Sequence, residues 1–342
     1  METGSSSPKR MWRAINTVLD RTELYTAVDF AKFFKEKVES VRCDTANAAP
    51  PHFQETTGKW LNEFEHVTEE EVVQLIASAT NKQSSLDPLP AKYLKKVNGD
   101  VACILDHIFN RSFENGYVPR KFKNATSLHY WRRLDSTLTI QVTSDPYRTS
   151  RWHPRFSSVS SGHVHLNRIG TIPSVQSAYR RNHSPETALA KLSSDIIMAA
   201  DRGDVSLLAL LDLSAAFDTV DHCILLQRLH TSHHINGLVL DWFRSYLTGR
   251  RESVLYGGET TSAVLVEYRV PQGSVLGPLL FVLYTSDVPY VINEWGLLSV
   301  VYADDTQNYI QVKQSLINMA ARGVSGRSRF DHITDFTRDY LH

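Results

Sequence analysis

Two short stretches of the sequence put carboxylates where an apolar core would not. The run SLLALLDL carries Asp212 near its end, and LLSVVY leads into Ala303-Asp304-Asp305. A single aspartate at a strand end is most often a turn former or a helix cap, and adjacent acids in a tight hairpin often do no more than turn the chain. The two features together change the reading. Strands this apolar belong in one sheet as neighbours, so their acidic ends converge. Like charges held a few ångströms apart and partly out of water repel by roughly several kcal/mol unless a cation lies between them. Oxygen-only donors suit Mg²⁺, which takes one or two carboxylates and keeps positions for phosphate oxygens. Two such ions about 3.5–4 Å apart clamp an in-line phosphoryl transfer, one activating the attacking oxygen and the other stabilising the leaving group. The chemistry this points to is nucleotidyl transfer.

The elements that must carry these acids follow from periodicity. SLLALLDL comes after the turn Asp201-Arg202-Gly203-Asp204 and is a continuous apolar run of strand length, the pattern of a central strand covered on both faces. LLSVVY, the acidic corner and TQNYIQV form a hairpin. Ser184-Pro185-Glu186 opens a helix reaching about Ala200, with a hydroxyl cap, proline at the first helical position and an acid near the positive end. One helix is expected through Val220, Ile224, Leu225 and Leu229, and another from Leu238 to Leu247 that stops at Gly249. SVLY, the turn Gly257-Gly258 and SAVLVEYRV make a second hairpin. VLGPLLFVLYTSDVPYVI reads as one buried helix. Upstream, the spacing is helical from Met11 to Val41. Thr68 before Glu69, Glu70 and Glu71 matches a capping box ahead of Val72, Val73, Leu75 and Ile76. Val101, Ile104, Leu105, Ile108 and Phe109 mark a further amphipathic helix ending near Asn115-Gly116. Helices first, then interleaved strands and helices, give the class α+β.

Composition narrows the setting. The chain has 342 residues, 42% hydrophobic and 22% charged, with a net charge of zero. That is long enough to bury a core without disulfides or structural metal. Cys43, Cys103 and Cys223 are far apart and read as reduced thiols of an intracellular protein, cytoplasmic or nuclear. No apolar run has the ~18–20 residues of a membrane span, and METGSSSPKR lacks the apolar segment of a secretory signal. Charge is uneven: Arg111 to Asn182 holds twelve Lys and Arg against Glu114, Asp135 and Asp145. Such a stretch is either a phosphate-facing surface or a plainly solvated one.

The residues now carry a resemblance. LLALLDLSAAFDTVDH resembles motif A of reverse transcriptases of the non-LTR retrotransposon class (LINE, CR1-like), VPQGSVLGPLLFVLY their motif B and VYADDTQ their motif C. SAYRRNHSPETAL and SSLDPLPAKYLKK are similar to fingers segments that precede motif A. The resemblance spans about residues 84–126 and 166–314, in the family's order. A YADD by itself is a weak sign; three motifs in order and at family spacing are a strong one. It implies a polymerase palm, an antiparallel sheet with packed helices, beside a mostly helical fingers region. It implies catalysis by Asp212, Asp304 and Asp305, with two Mg²⁺ ions (Mn²⁺ able to stand in) held by Asp212, Asp304 and the backbone carbonyl of Leu213. Phe217 matches the bulky side chain beneath the incoming sugar, which leaves no room for a 2′-hydroxyl; its plain alternative is a core phenylalanine. Gln272 and Gly273 match the pair lining the nucleotide pocket, and Arg180 and Arg181 a basic fingers element. The implied partners are an RNA template, a DNA primer and a dNTP, with no membrane.

The sequence also departs from the family. Ser127 to His163 has no sustained period and lacks the family's triphosphate-binding stretch; it is either a long irregular loop or a stretch foreign to the surrounding fold, the second through a compensated frameshift or a mis-spliced gene model. Beyond Gln314 the family's lysine motif, primer-grip hairpin and thumb are not found. The organisation expected is a helical and linker region over 1–60, fingers over 61–183 with an aberrant 127–163, a palm over 184–314 and a non-family tail over 315–342, the thumb being absent. Two rivals to an active polymerase are a catalytically inactive transposon-derived remnant with residual nucleic-acid binding, and a metal-dependent nuclease, against which the motif B residues argue.

Overall fold

The computed structural model describes residues 26–51, 53–55, 57–78, 91–134, 137–144, 172–180, 182–213, 215–256, 258–271, 274 and 276–325. It has the expected α+β character. Helix α1 (Ala27–Asp44) opens at Thr26, whose hydroxyl accepts the Asp29 N–H while the Asp29 carboxylate accepts the Thr26 N–H. The earlier part of the helix expected from Met11 lies outside the described residues. Helix α2 (Glu69–Ser78) has the expected capping box, Thr68 and Glu71 each accepting the other's N–H. Helices α3 (Ala91–Leu94) and α4 (Asn98–Glu114) follow, and the chain leaves α4 through Gly116 in the left-handed region.

Strands β1 (Asn124–Leu134) and β2 (Thr137–Ser144) pair antiparallel, which corrects the expectation of an irregular segment over this stretch. The reason is long-range: β1 lies parallel to β4 (Arg250–Tyr256), with Asn124 opposite Arg251, so its partner is more than a hundred residues away in sequence. Residues 145–171, the remainder of that segment, lie outside the described residues. β4 also pairs with β5 (Glu259–Thr260) and β6 (Val264–Val266), the second hairpin expected from sequence.

Helix α5 (Pro185–Asp201) begins at Ser184 with proline in its first turn, as its sequence dictates. Strand β3 (Asp204–Leu211) comes next, then α6 (His222–Thr231) and α7 (Gly237–Leu247). The single long helix expected after motif B is broken into α8 (Leu276–Tyr284) and α9 (Val288–Glu294). The Thr285 and Ser286 hydroxyls donate back to the carbonyls of Phe281 and Leu283, competing with the helical ladder, and Pro289 starts a new first turn. Strands β7 (Leu298–Tyr302) and β8 (Asp305–Lys313) then form the acidic hairpin, and α10 (Gln314–Ser325) follows.

The main core fills the space between α2, α4, α6, α7 and α8, around Ile76, Phe109, Leu225, Trp242 and Phe281. Trp242 stacks on Tyr246 at 5.5 Å and donates its indole N–H to the Ser112 hydroxyl. A smaller core, Ala188, Leu192, Val300 and Tyr309, seats α5 on the antiparallel sheet β3-β8-β7. That sheet corrects a second expectation. β3 is an edge strand, not a central one, and Leu207 and Leu210 are 58% and 71% exposed. Apolar content had implied two covered faces; among the described residues β8 is the strand that pairs with it. No helix of the described residues is long and apolar enough to cross a membrane, and the three cysteines are free and exposed.

Candidate active site

The ladder of β3-β8-β7 brings the acids together. Leu211 at the end of β3 lies opposite Thr306, and Tyr302 at the end of β7 lies opposite Asp305. Asp212 is therefore at the same end of the sheet as the Ala303-Asp304 corner, one strand spacing of about 5 Å from β8. Asp304 senses this crowding. Burial pushes its carboxyl above the ordinary aspartate range, a bond from its own backbone N–H pulls the other way, and the negative charges of Asp305 and Asp212 push it up further. Asp212 and Asp305 are exposed and Asp304 half-buried. Among the described residues no three His, Cys, Asp or Glu side chains close into a metal cluster. The acids at this sheet end form an open ledge, with Asp212 and Asp305 facing solvent.

The corner is held from outside its own hairpin. The segment Val175–Ser177 runs beside β7: the Ser177 N–H donates to the Val301 carbonyl and the Val301 N–H to that of Val175. Just beyond it Tyr179, in the left-handed region, has its hydroxyl pushed up by burial and by the Asp304 charge. Tyr179 and Gln176 are site residues that the sequence reading passed over in favour of their neighbours; the SVQSAYR string was visible, but nothing local says which of its side chains faces motif C. Arg180 turns back on its own loop, donating to the carbonyls of Pro173 (3.1 Å) and Gln176 (3.2 Å). Arg181 lies outside the described residues.

The turn after Asp212 is compact. The Leu213 carbonyl accepts the Ala216 N–H at 3.2 Å, which leaves a lone pair of that oxygen for another partner. Phe217 stacks on Phe281 with centroids 4.5 Å apart and is half-buried against the main core. Its carbonyl accepts the Val270 N–H, tying this turn to the approach of motif B. Gln272 and Gly273 lie outside the described residues, but their flanks are fixed. The Pro271 carbonyl accepts from the Ser274 hydroxyl at 2.7 Å, and that hydroxyl accepts the Gly277 N–H at 2.8 Å. A Cβ on Gly277 would come within 2.5 Å of the Pro271 oxygen, so this glycine, which the sequence reading did not single out, is needed for close backbone approach. Beneath both turns Arg269 bridges Asp218 and Glu252; burial pushes the Glu252 carboxyl up and Arg269 pulls it back.

Of the basic stretch, Arg111, Arg120 and Lys121 are exposed, whereas Lys123 is buried against Ser245, its amine pushed down by burial and by Arg250 and Arg120.

Residues 161–322 match the family described as reverse transcriptase (RNA-dependent DNA polymerase). The chain is 28% identical over 252 residues to the RNA-directed DNA polymerase from mobile element jockey of Drosophila funebris, covering 70% of this chain and 27% of that protein. It is 26% identical over 276 residues to the probable RNA-directed DNA polymerase from transposon BS of Drosophila melanogaster, covering 75% of this chain and 29% of the relative. Over 120 residues it is 34% identical to the probable RNA-directed DNA polymerase from transposon X-element of the same fly, 35% of this chain and 13% of the relative. The chain thus spans less than a third of the length of these relatives. Residues 161–322 thus match a reverse transcriptase domain, and the chain is similar to RNA-directed DNA polymerases of mobile elements.

Proposed function

We propose that this chain carries the palm and part of the fingers of the RNA-directed DNA polymerase of a LINE-type retrotransposon, an intracellular enzyme that adds a deoxynucleotide from a dNTP to the 3′-hydroxyl of a DNA primer on an RNA template. The palm corresponds to residues 184–314 and the fingers to 61–183. The observation that carries the reading is the strand register that sets Asp212 beside the Asp304-Asp305 corner. Hard carboxylate oxygens, with Asp304 raised by burial and then by the charges of Asp305 and Asp212, fit divalent cations. Asp212, Asp304 and the Leu213 carbonyl would hold two Mg²⁺ ions, with Asp305 adjacent and less directly engaged. When bound, such ions make the primer hydroxyl more acidic and neutralise charge on the departing pyrophosphate. Phe217, seated on Phe281, offers a firm apolar wall at the position of the incoming sugar, and a wall there excludes the extra 2′-hydroxyl of a ribonucleotide. Gln272 and Gly273 would line the nucleotide pocket, and Arg181 would face phosphate.

Primer extension on poly(rA)/oligo(dT) with Mg²⁺ tests this. The parent chain incorporates dTMP and Asp304→Asn does not; equal incorporation by both would overturn the reading. The alternative reading is a catalytically inactive remnant that keeps some nucleic-acid binding through exposed basic side chains such as Arg111, Arg120 and Lys121. Filter binding to an RNA/DNA hybrid separates them. Binding through two or three phosphate contacts falls about ten- to fortyfold between 50 and 200 mM salt, and such binding without any extension identifies the remnant.

A further inference from the structure

The catalytic corner depends on a side chain from another part of the chain. Ala303, between Tyr302 and Asp304, is buried and has φ +58°, a left-handed conformation that a residue with a Cβ disfavours. Its N–H points away from the β7-β8 ladder and needs an acceptor, because an unpaired buried amide is costly. The acceptor is the side-chain carbonyl of Gln176 at 3.1 Å, and the same oxygen accepts the Ala178 N–H at 2.9 Å. Two N–H donors converging on one atom fix which end of the amide is the oxygen. Gln176 is itself 3% exposed. Its backbone is pinned on both sides, by the pairing of its neighbours with Val301 and by the Arg180 guanidinium donating to its carbonyl.

We infer that Gln176 is a positioning residue for the nucleotidyl transfer proposed above: its amide oxygen locks the left-handed Ala303 and thereby sets the direction in which Asp304 presents its carboxylate. The inference rests on that reading for its catalytic meaning but not for its physical content. A side chain that only filled space would be replaceable by one of equal length. Methionine has that length and no comparable acceptor, so it releases Ala303 while keeping the volume. Glutamate keeps an acceptor oxygen at the same reach.

The test compares Gln176→Met and Gln176→Glu with the parent chain by amide hydrogen exchange, by Mn²⁺ binding followed with electron paramagnetic resonance, and by steady-state extension. One lost hydrogen bond corresponds to about a five- to tenfold change in a local equilibrium. In Gln176→Met the Ala303 and Ala178 amides exchange that much faster while the buried Tyr309 amide is unchanged, Mn²⁺ binds more weakly by a similar factor, and kcat falls with little change in KM for dNTP. In Gln176→Glu exchange at Ala303 stays slow. Parental exchange at Ala303 in Gln176→Met, faster exchange everywhere including Tyr309, or loss of folded protein would each overturn the inference. Exchange and Mn²⁺ binding need no polymerase activity. A chain in which Asp304→Asn leaves extension unaltered would remove the polymerase reading while leaving the Gln176 clamp to stand or fall by its own amides.

Discussion

At the scale of single residues, the site trades stability for function, and Asp304 is where the trade is measurable. Its carboxyl is raised by burial and by the charges of Asp305 and Asp212, so the folded protein holds this proton more tightly than the unfolded chain does. The resulting penalty is absent well below the carboxylate range, grows as pH rises through it and is fully present at neutral pH. Asp304→Asn removes it. Solvent screens much of the effect at this half-exposed position, so Tm at pH 7 rises by about 1–2 °C, while a thermal melt at a pH below the carboxylate range shows no gain. A fall in Tm at pH 7 would contradict the electrostatic account. Gly277 works in the opposite direction. Replacing a helical glycine by alanine ordinarily stabilises by about 0.5–1 kcal/mol. Here the new methyl meets the Pro271 carbonyl, a backbone atom that cannot swing away. Overpacking of this kind costs about 1–3 kcal/mol, so Gly277→Ala is destabilising on balance, to be read from the midpoint of urea unfolding. A midpoint at or above the parent's would show that the motif B turn yields.

At the scale of elements, the parts legible in sequence are those written in local chemistry. The capping pairs Thr68 with Glu71 and Ser184 with Thr187 set helix starts within one turn, and the acidic hairpin β7-β8 is announced by its own apolar strands and tight corner. What depends on distant partners was not legible. Apolar run length cannot count neighbours, so β3 read as central although it is the sheet's edge. The strand β1 has no periodicity of its own because its parallel partner β4 supplies the pairing. The bond from Ala303 to Gln176 joins residues 127 apart in sequence. The exposed edge of β3 has a consequence in solution. Unpaired strand edges with apolar side chains associate with one another. If this edge drives association, Leu210→Lys, at the most exposed of these leucines, lowers the weight-average sedimentation coefficient measured at high protein concentration. It leaves stability within about 0.5 kcal/mol, as expected for a surface change. Unchanged association would mean that β3 is not the contact.

At the scale of the molecule, two packed regions cooperate. The helical core around Trp242 and Phe281 is continuous with the turns of motifs A and B through Phe217, whereas α5 and the antiparallel sheet form a separate, smaller core carrying the acids. The site thus sits where the two meet, with Val175–Ser177 stitched to β7 across it. The central claim is that carboxylates from two strand ends serve one divalent site. Mn²⁺ binding by the parent, Asp212→Asn, Asp304→Asn and the double variant tests it most directly. The account predicts that either single change weakens binding about tenfold or more and that the double variant loses far less than the sum of the two. Asp212→Asn binding Mn²⁺ as the parent does, or strictly additive losses, would contradict it.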